Sequence, residues 1–201
     1  MKKRQPVIVI TGGPSGGKTT LIEAIKRELA PEVITVPEAA SLLYRGGFPR
    51  GRDTHSQVRT QKAIYYVQEQ LEGLAQDQSR SSTLVCDRGS LDGLAYWPEN
   101  HTDYFEELET NLNQEISRYD WVLHLDTAHS QSYDLSNPVR TENYEEAWKL
   151  NERIKWAWSQ HPQVLIVSAN SDFFSKMALC LHLIRGIIDG RDYESIKRDL
   201  P

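Results

Sequence analysis

At 201 residues, with hydrophobic side chains at 39% and charged ones at 25%, the chain can bury one ordinary globular core and is neither disordered nor fibrous in composition. A formal charge of −5 argues against a general nucleic-acid-binding surface and leaves room only for a local basic pocket. Cys86 and Cys180 are too few and too far apart for a metal cluster or a disulfide framework, and no stretch reaches transmembrane length.

The opening Met1-Lys2-Lys3-Arg4 resembles the basic start of a signal peptide, but the apolar run after it breaks at Gly12-Gly13, too soon for an h-region. With Cys86 inside an apolar run as a buried thiol, a reducing cytosol is the expected location. Nothing in the chain marks an oligomeric state.

Pro6–Thr11 is a short β-branched run, the pattern of a strand buried on both faces. It runs into Gly12-Gly13-Pro14-Ser15-Gly16-Gly17-Lys18-Thr19-Thr20, the full G-x-x-x-x-G-K-[ST] pattern of a phosphate-binding loop. Leu21, Ile22, Ile25 and Leu29 then recur at helical spacing, and Pro31 marks the stop. The same letters could make a Gly-rich strand–helix turn that happens to hold a lysine, but the correct flanks on both sides favour a nucleotide triphosphate site. Glycines let successive N–H groups approach phosphate oxygens, and the helix N-terminus adds about half a positive charge there. Lys18 is the expected contact to the β- and γ-phosphates, with the Thr19 hydroxyl on Mg²⁺.

Further strand-like runs cover Val33–Val36, Thr83–Asp87, Trp121–Asp126 and Val164–Ser168. Helical patterns cover Lys18–Leu29, Thr54–Gln76, Asp103–Arg118, Glu142–Gln160 and Phe173–Ile188. This alternation predicts an α/β fold in one domain over residues 1–201: a five-stranded parallel sheet with helices on both faces, in the three-layer P-loop NTPase arrangement. A lid is expected around residues 127–145. In such sheets ligands dock at the carboxyl ends of strands.

Four sites fall near those ends. Glu38, in Val36-Pro37-Glu38-Ala39-Ala40, is either a base for an attacking hydroxyl or a first-turn glutamate favoured by the helix dipole. Arg45, Arg50 and Arg52 surround Phe48; they either clasp an anionic acceptor with Phe48 stacked on its ring, or form a solvated basic loop. Asp87 ends an apolar strand and is either a Mg²⁺-organising carboxylate or a helix cap. Arg88 follows it where hydrolytic motors carry a water-polarising glutamate; a cation cannot be a general base, so the sequence leans toward transfer. Arg140 is either a lid arginine closing over the phosphoryl group or a surface residue before a helix capped by Thr141.

The remaining signals are structural. Trp148 and Ala157–Trp158 fall near one helix face, which suggests packing in the core or under the lid. The histidines lack zinc spacing, and His124 reads as a hydrogen-bonded strand residue. Asn170-Ser171-Asp172 follows the last strand and does not match the Asn-Lys-x-Asp pattern of guanine-specific switch proteins, so ATP is expected.

Taken together, Thr11–Thr20, Val36–Ala40, Cys86–Tyr96 and Arg140–Asn143 resemble the small AAA-type ATPase/kinase family grouped with the nicotinamide-riboside kinase domain of NadR. The Asp-Arg-Gly-x-x-Asp-x-x-Ala-Tyr run is the more specific part of that resemblance, which spans about residues 6–180. More distantly, the Pro-Glu and Asp-Arg pairs resemble motifs of deoxynucleoside kinases. That resemblance implies Glu38 as base, Arg88 beside the transferred phosphoryl group and Arg140 in a lid. Asp87 replaces the glutamate and Gly89 the serine of those kinases.

Two functions follow. One is an ATP–Mg²⁺-dependent phosphotransferase acting on a small, nucleoside-like acceptor. The other is a nucleotide-controlled ATPase or GTPase switch that recognises a protein or an anionic lipid through its arginine loop. A motor is weaker, because the chain is short and Arg88 stands in the water-polarising position.

Overall fold

β1 (Val7–Thr11) is the centre of the molecule: all five of its residues are buried. The computed structural model describes residues 5–78, 81–99, 101–127, 144–169 and 172–201. Within them β1 is flanked by β3 (Thr83–Asp87) and β4 (Trp121–Leu125), with β2 (Val33–Val36) and β5 (Val164–Val167) at the edges. The order is β2-β3-β1-β4-β5, and every pairing is parallel.

Alternation along β1 separates the two cores. Ile8 and Ile10 face α1 (Lys18–Glu28) and α8 (Phe173–Ile188), against Leu21, Ile25, Leu183 and Ile184. Val7 and Val9 face the other layer, with Leu84, Cys86, Leu91, Ile154 and Trp158. That layer is built from α3 (Thr54–Gln78), α4 (Asp92–Tyr96) and α7 (Tyr144–Trp158). Each large aliphatic side chain buried this way contributes about 1.5–3 kcal/mol. The three-layer α/β fold expected from the sequence is the fold observed, with α1 and α8 reproducing the expected helices almost residue for residue.

Several local expectations are corrected. Asp103–Arg118 is not one helix but α5 (Tyr104–Glu107) and α6 (Leu112–Ser117). Glu109 between them has φ 54°, a left-handed conformation that no α-helix continues through. Asn111 then caps α6 by accepting from the Gln114 N–H at 3.0 Å. The short helices α2 (Ala39–Arg45), α4 and α9 (Tyr193–Lys197) are absent from the helical patterns read in the sequence. Trp148 does not share the burial of Trp158: it is 40% exposed, and Trp158 is 0%. The expected lid falls mainly on residues 128–143, outside the described residues, as does Arg140. Among the described residues no helix is long and apolar enough to cross a membrane.

The parallel register brings Thr11, Val36, Asp87 and Leu125 to one edge of the sheet. A cavity at its centre would unsettle that edge. Leu123→Ala, in fully buried β4, should therefore lower unfolding free energy by about 2–5 kcal/mol in urea denaturation; a loss below about 1 kcal/mol would contradict its central place.

Candidate active site

The loop after β1 is held against the end of β4. Gly12 has φ 125°, and a Cβ there would lie 2.0 Å from the Leu125 carbonyl oxygen, so no side chain fits. Gly17, at φ 95°, gives the left-handed turn that starts α1. Ser15 is also left-handed, at φ 60°, and its buried Oγ has no hydrogen-bond partner among the described residues. An orphan hydroxyl in a curl of backbone amides suits an anionic oxygen.

Lys18 reaches back over this loop. Its Nζ donates to the Gly12 and Gly13 carbonyls at 2.8 and 2.7 Å. Burial and the nearby Arg88 pull its pKa down to about 7, while Asp87, Glu38 and Asp92 pull the other way. Thr19, the next residue of α1, is exposed at the mouth of the loop.

The ends of β2 and β3 supply the opposing wall. Glu38 occupies the N-cap position of α2 but makes no capping bond. Its carboxylate instead accepts from Arg88 Nε at 2.7 Å and from the Ser41 hydroxyl. Burial opposes its charge, yet Arg88 and Ser41 hold it below the usual glutamate range.

Asp87 does not cap a helix either, since α4 begins after Leu91 without a side-chain cap. Burial and the Glu38 charge push its pKa up to about 6, against the pull of Arg88 and Lys18. Arg88 itself stands at φ 74°, a conformation that for a non-glycine residue is sustained by its surroundings. Gln68 Nε2 donates to its carbonyl at 3.3 Å, and the following turn is fixed by Ser90 N–H to Tyr119 Oη at 2.9 Å and Tyr104 Oη to the Ser90 carbonyl at 2.6 Å.

The sequence missed two members of this assembly. Asp92, 3% exposed, accepts from Arg88 Nη1 at 2.8 Å, from the Thr11 hydroxyl at 2.7 Å and from Trp158 Nε1 at 2.7 Å. Asn151, fully buried, takes the Gly13 N–H at 3.0 Å and the Thr127 N–H at 3.2 Å on its Oδ1. Its Nδ2 donates to Asp126, which Lys155 also pairs at 2.9 Å. The available signal was a polar residue breaking the stripe Ala147–Asn151–Ile154–Trp158. His124, also on Asn151 Oδ1 at 3.1 Å, is the hydrogen-bonded strand residue expected.

The arginine loop is less united. Arg45, Arg50 and Arg52 are all exposed. Arg50 stacks on the Tyr44 ring, 3.9 Å from its centroid. Phe48 lines a shallow cleft with Leu42, Leu43, Pro49 and Val67. Burial and the Glu38 charge raise the Tyr44 phenol against the opposing pull of Arg50. The residues Asn170 and Ser171 lie outside the described residues; Asp172 caps α8, accepting from Phe174 and Ser175 N–H at 3.0 and 3.1 Å.

A lysine poised near neutrality makes anion binding visible as proton movement. With Lys18 at about 7 in the free protein, a bound polyphosphate raises its pKa, so binding at pH 8 should take up about one proton per site and at pH 6 much less. Calorimetry in buffers of different ionisation enthalpy measures this; proton release at pH 8 would contradict the assignment of Lys18.

Comparison with known proteins agrees with this geometry. The model of an AAA domain family matches residues 7–175. Among solved structures, a deoxyadenosine kinase from M. mycoides with bound dATP superposes with TM-score 0.58 at 15% identity, over 90% of this chain and 100% of that one. A thymidylate kinase from Candida albicans gives TM-score 0.57 at 15% identity, over 90% of this chain and 92% of that one. At that identity the likeness is one of fold. Curated proteins give no sequence match. By the family match over most of its length, and with its loop, sheet order and fold neighbours in agreement, the chain belongs to the AAA domain family of P-loop proteins.

Proposed function

We propose that the protein is a phosphotransferase that moves the γ-phosphoryl group of ATP, with Mg²⁺, to a hydroxyl- or phosphate-bearing small molecule of nucleoside-like form. The observation that carries this reading is the Arg88–Glu38 pair, 2.7 Å long, across the strand ends from Lys18. Hydrolytic motors usually follow the strand-end aspartate with a glutamate that polarises water. Here the residue after Asp87 is a cation, and the nearby carboxylate sits where a second molecule's hydroxyl can meet it. The names of the two fold neighbours, kinases of deoxyadenosine and of thymidylate, support an acceptor of this class.

The roles follow from charge and position. The loop amides and Lys18 hold the β- and γ-phosphate oxygens. Glu38, ionised across the neutral range, accepts the hydrogen bond and then the proton of the acceptor hydroxyl. Arg88, with Arg140 on the lid side, offsets charge on the group in flight. Arg45, Arg50, Arg52 and Phe48 bind the acceptor's anionic and ring parts.

The site also fits a divalent cation. Burial first, and then the Glu38 charge, hold Asp87 at about 6, and among the described residues no protein donor bonds its carboxylate. Thr19 and Asp87 would hold Mg²⁺, which would offset negative charge on the phosphate groups.

Lys18→Ala should lower turnover by about a hundredfold or more, measured as ADP formed. Glu38→Gln is the sharper test. It should abolish transfer while leaving ATP affinity within about threefold by calorimetry, because the residue serves the acceptor and not the donor. Retained turnover in Glu38→Gln would favour the nucleotide-controlled switch. A thermal-shift screen of nucleosides, nucleotides and pyridine ribosides with ATP–Mg²⁺ identifies the acceptor, since a ligand at a hundred times its Kd adds about 2.7 kcal/mol of stability.

A further inference from the structure

Trp158 closes α7, far in sequence from the phosphate loop, and is completely buried. A buried indole N–H needs an acceptor, and here that acceptor is a carboxylate of the site. Trp158 Nε1 and the Thr11 hydroxyl both reach Asp92 Oδ1, each at 2.7 Å, while Arg88 Nη1 reaches Oδ2 at 2.8 Å. Arg88 Nε continues to Glu38 at 2.7 Å, and Nη1 touches the Gly12 carbonyl at 3.4 Å. Among the described residues Arg88 Nη2 carries no hydrogen bond, so its two hydrogens remain for a ligand.

The backbone around Arg88 is shaped to admit the indole. A Cβ on Gly89 would lie 2.8 Å from Trp158 Cζ2, 2.9 Å from its Cη2 and 3.0 Å from Val9 Cγ2. The ring therefore lies flush against the turn that carries the arginine, and only glycine leaves it room. Two helical turns earlier on the same face of α7, Asn151 takes the Gly13 N–H at 3.0 Å. Residues seven apart share a helix face about 10 Å apart along the axis. One helix thus holds the phosphate loop with one side chain and the arginine's carboxylate with another.

We propose that Trp158 and Asp92 are positioning residues: the indole N–H fixes the rotation of the Asp92 carboxylate, and that carboxylate fixes the direction in which Arg88 presents Nη2. The inference rests on the phosphotransfer reading above. Without the indole N–H, Oδ1 keeps only the Thr11 hydroxyl, which lies about as close to Oδ2, at 2.8 Å, and so does not distinguish the two oxygens. The carboxylate can then turn about Cβ–Cγ, and the Arg88 guanidinium loses its aim relative to the loop that α7 also supports. The ion pairs would still form; their geometry would not be set.

The test compares a ground-state ligand with a mimic of the phosphoryl group in flight. Magnesium ADP and magnesium ADP–aluminium fluoride are titrated into the full chain and into Trp158→Phe, which keeps a buried ring and removes the N–H. Wild type should bind the fluoride complex more tightly than ADP. In Trp158→Phe that preference should fall about tenfold, the effect of one hydrogen bond to a charged group, with ADP affinity within about twofold of wild type. Asp92→Asn should lose the preference about a hundredfold and stands as the test if Trp158→Phe fails to fold by circular dichroism. An unchanged preference in the folded variants, or an equal weakening of both ligands, overturns the positioning role and leaves the phosphotransfer reading standing. A wild type that binds both ligands equally overturns the phosphotransfer reading, and the positioning role with it.

Discussion

A guanidinium taken out of water persists only where carboxylates surround it, and Arg88 has two, Glu38 at 2.7 Å and Asp92 at 2.8 Å. Around this charge the rest of the site is arranged. Glu38 stands at the N-cap of α2, just after β2, Arg88 leaves β3 and Asp92 opens α4, so the pair of bonds ties three elements together at the sheet's carboxyl edge. Burying an ion pair is weak evidence of stabilisation, because desolvation opposes the Coulomb gain. Its value here is geometric: it keeps a donor-rich group in one orientation beside the phosphate loop. The left-handed backbone at Arg88 and the interior glycine after it are both tolerated for that orientation.

The second constraint is the electrostatic balance of the free site. Lys18 and Arg88 face Glu38, Asp87 and Asp92, and burial shifts two of these groups in opposite directions: Lys18 falls to about 7 and Asp87 rises to about 6. Both groups are displaced toward their neutral forms, Lys18 chiefly by burial and Asp87 by burial together with Glu38. A triphosphate would restore charge to the lysine, and a divalent cation would restore it to the aspartate. Both shifts fit the proposed pair of oppositely charged ligands, a triphosphate and a divalent cation. Perturbed ionisation of this sort is a common mark of functional clefts.

Much of this was readable in the chain because it is local. The β-branched run before Gly12, the glycine pattern and the amphipathic α1 lie within a few tens of residues, and each obeys a known period. The short helices α2 and α4, of seven and five residues, were not readable, since their stability comes from tertiary packing and not from propensity. The break between α5 and α6 depends on one backbone dihedral at Glu109 that no apolar pattern encodes. Asp92 and Asn151 were missed for a related reason: their key partners, Thr11 and Gly13, lie 81 and 138 positions away. Trp158 was read as packing, which it is, but a buried indole also carries a donor, and that donor points to the site.

Phosphorus NMR of the protein with magnesium ATP and a pooled set of nucleosides and nucleotides measures the central claim most directly, because it separates transfer from hydrolysis in one spectrum. The account predicts that the γ-phosphate resonance is replaced by ADP together with a new phosphoester or phosphoanhydride signal from the acceptor. Growth of inorganic phosphate alone, or an unchanged ATP spectrum over many hours, would contradict it.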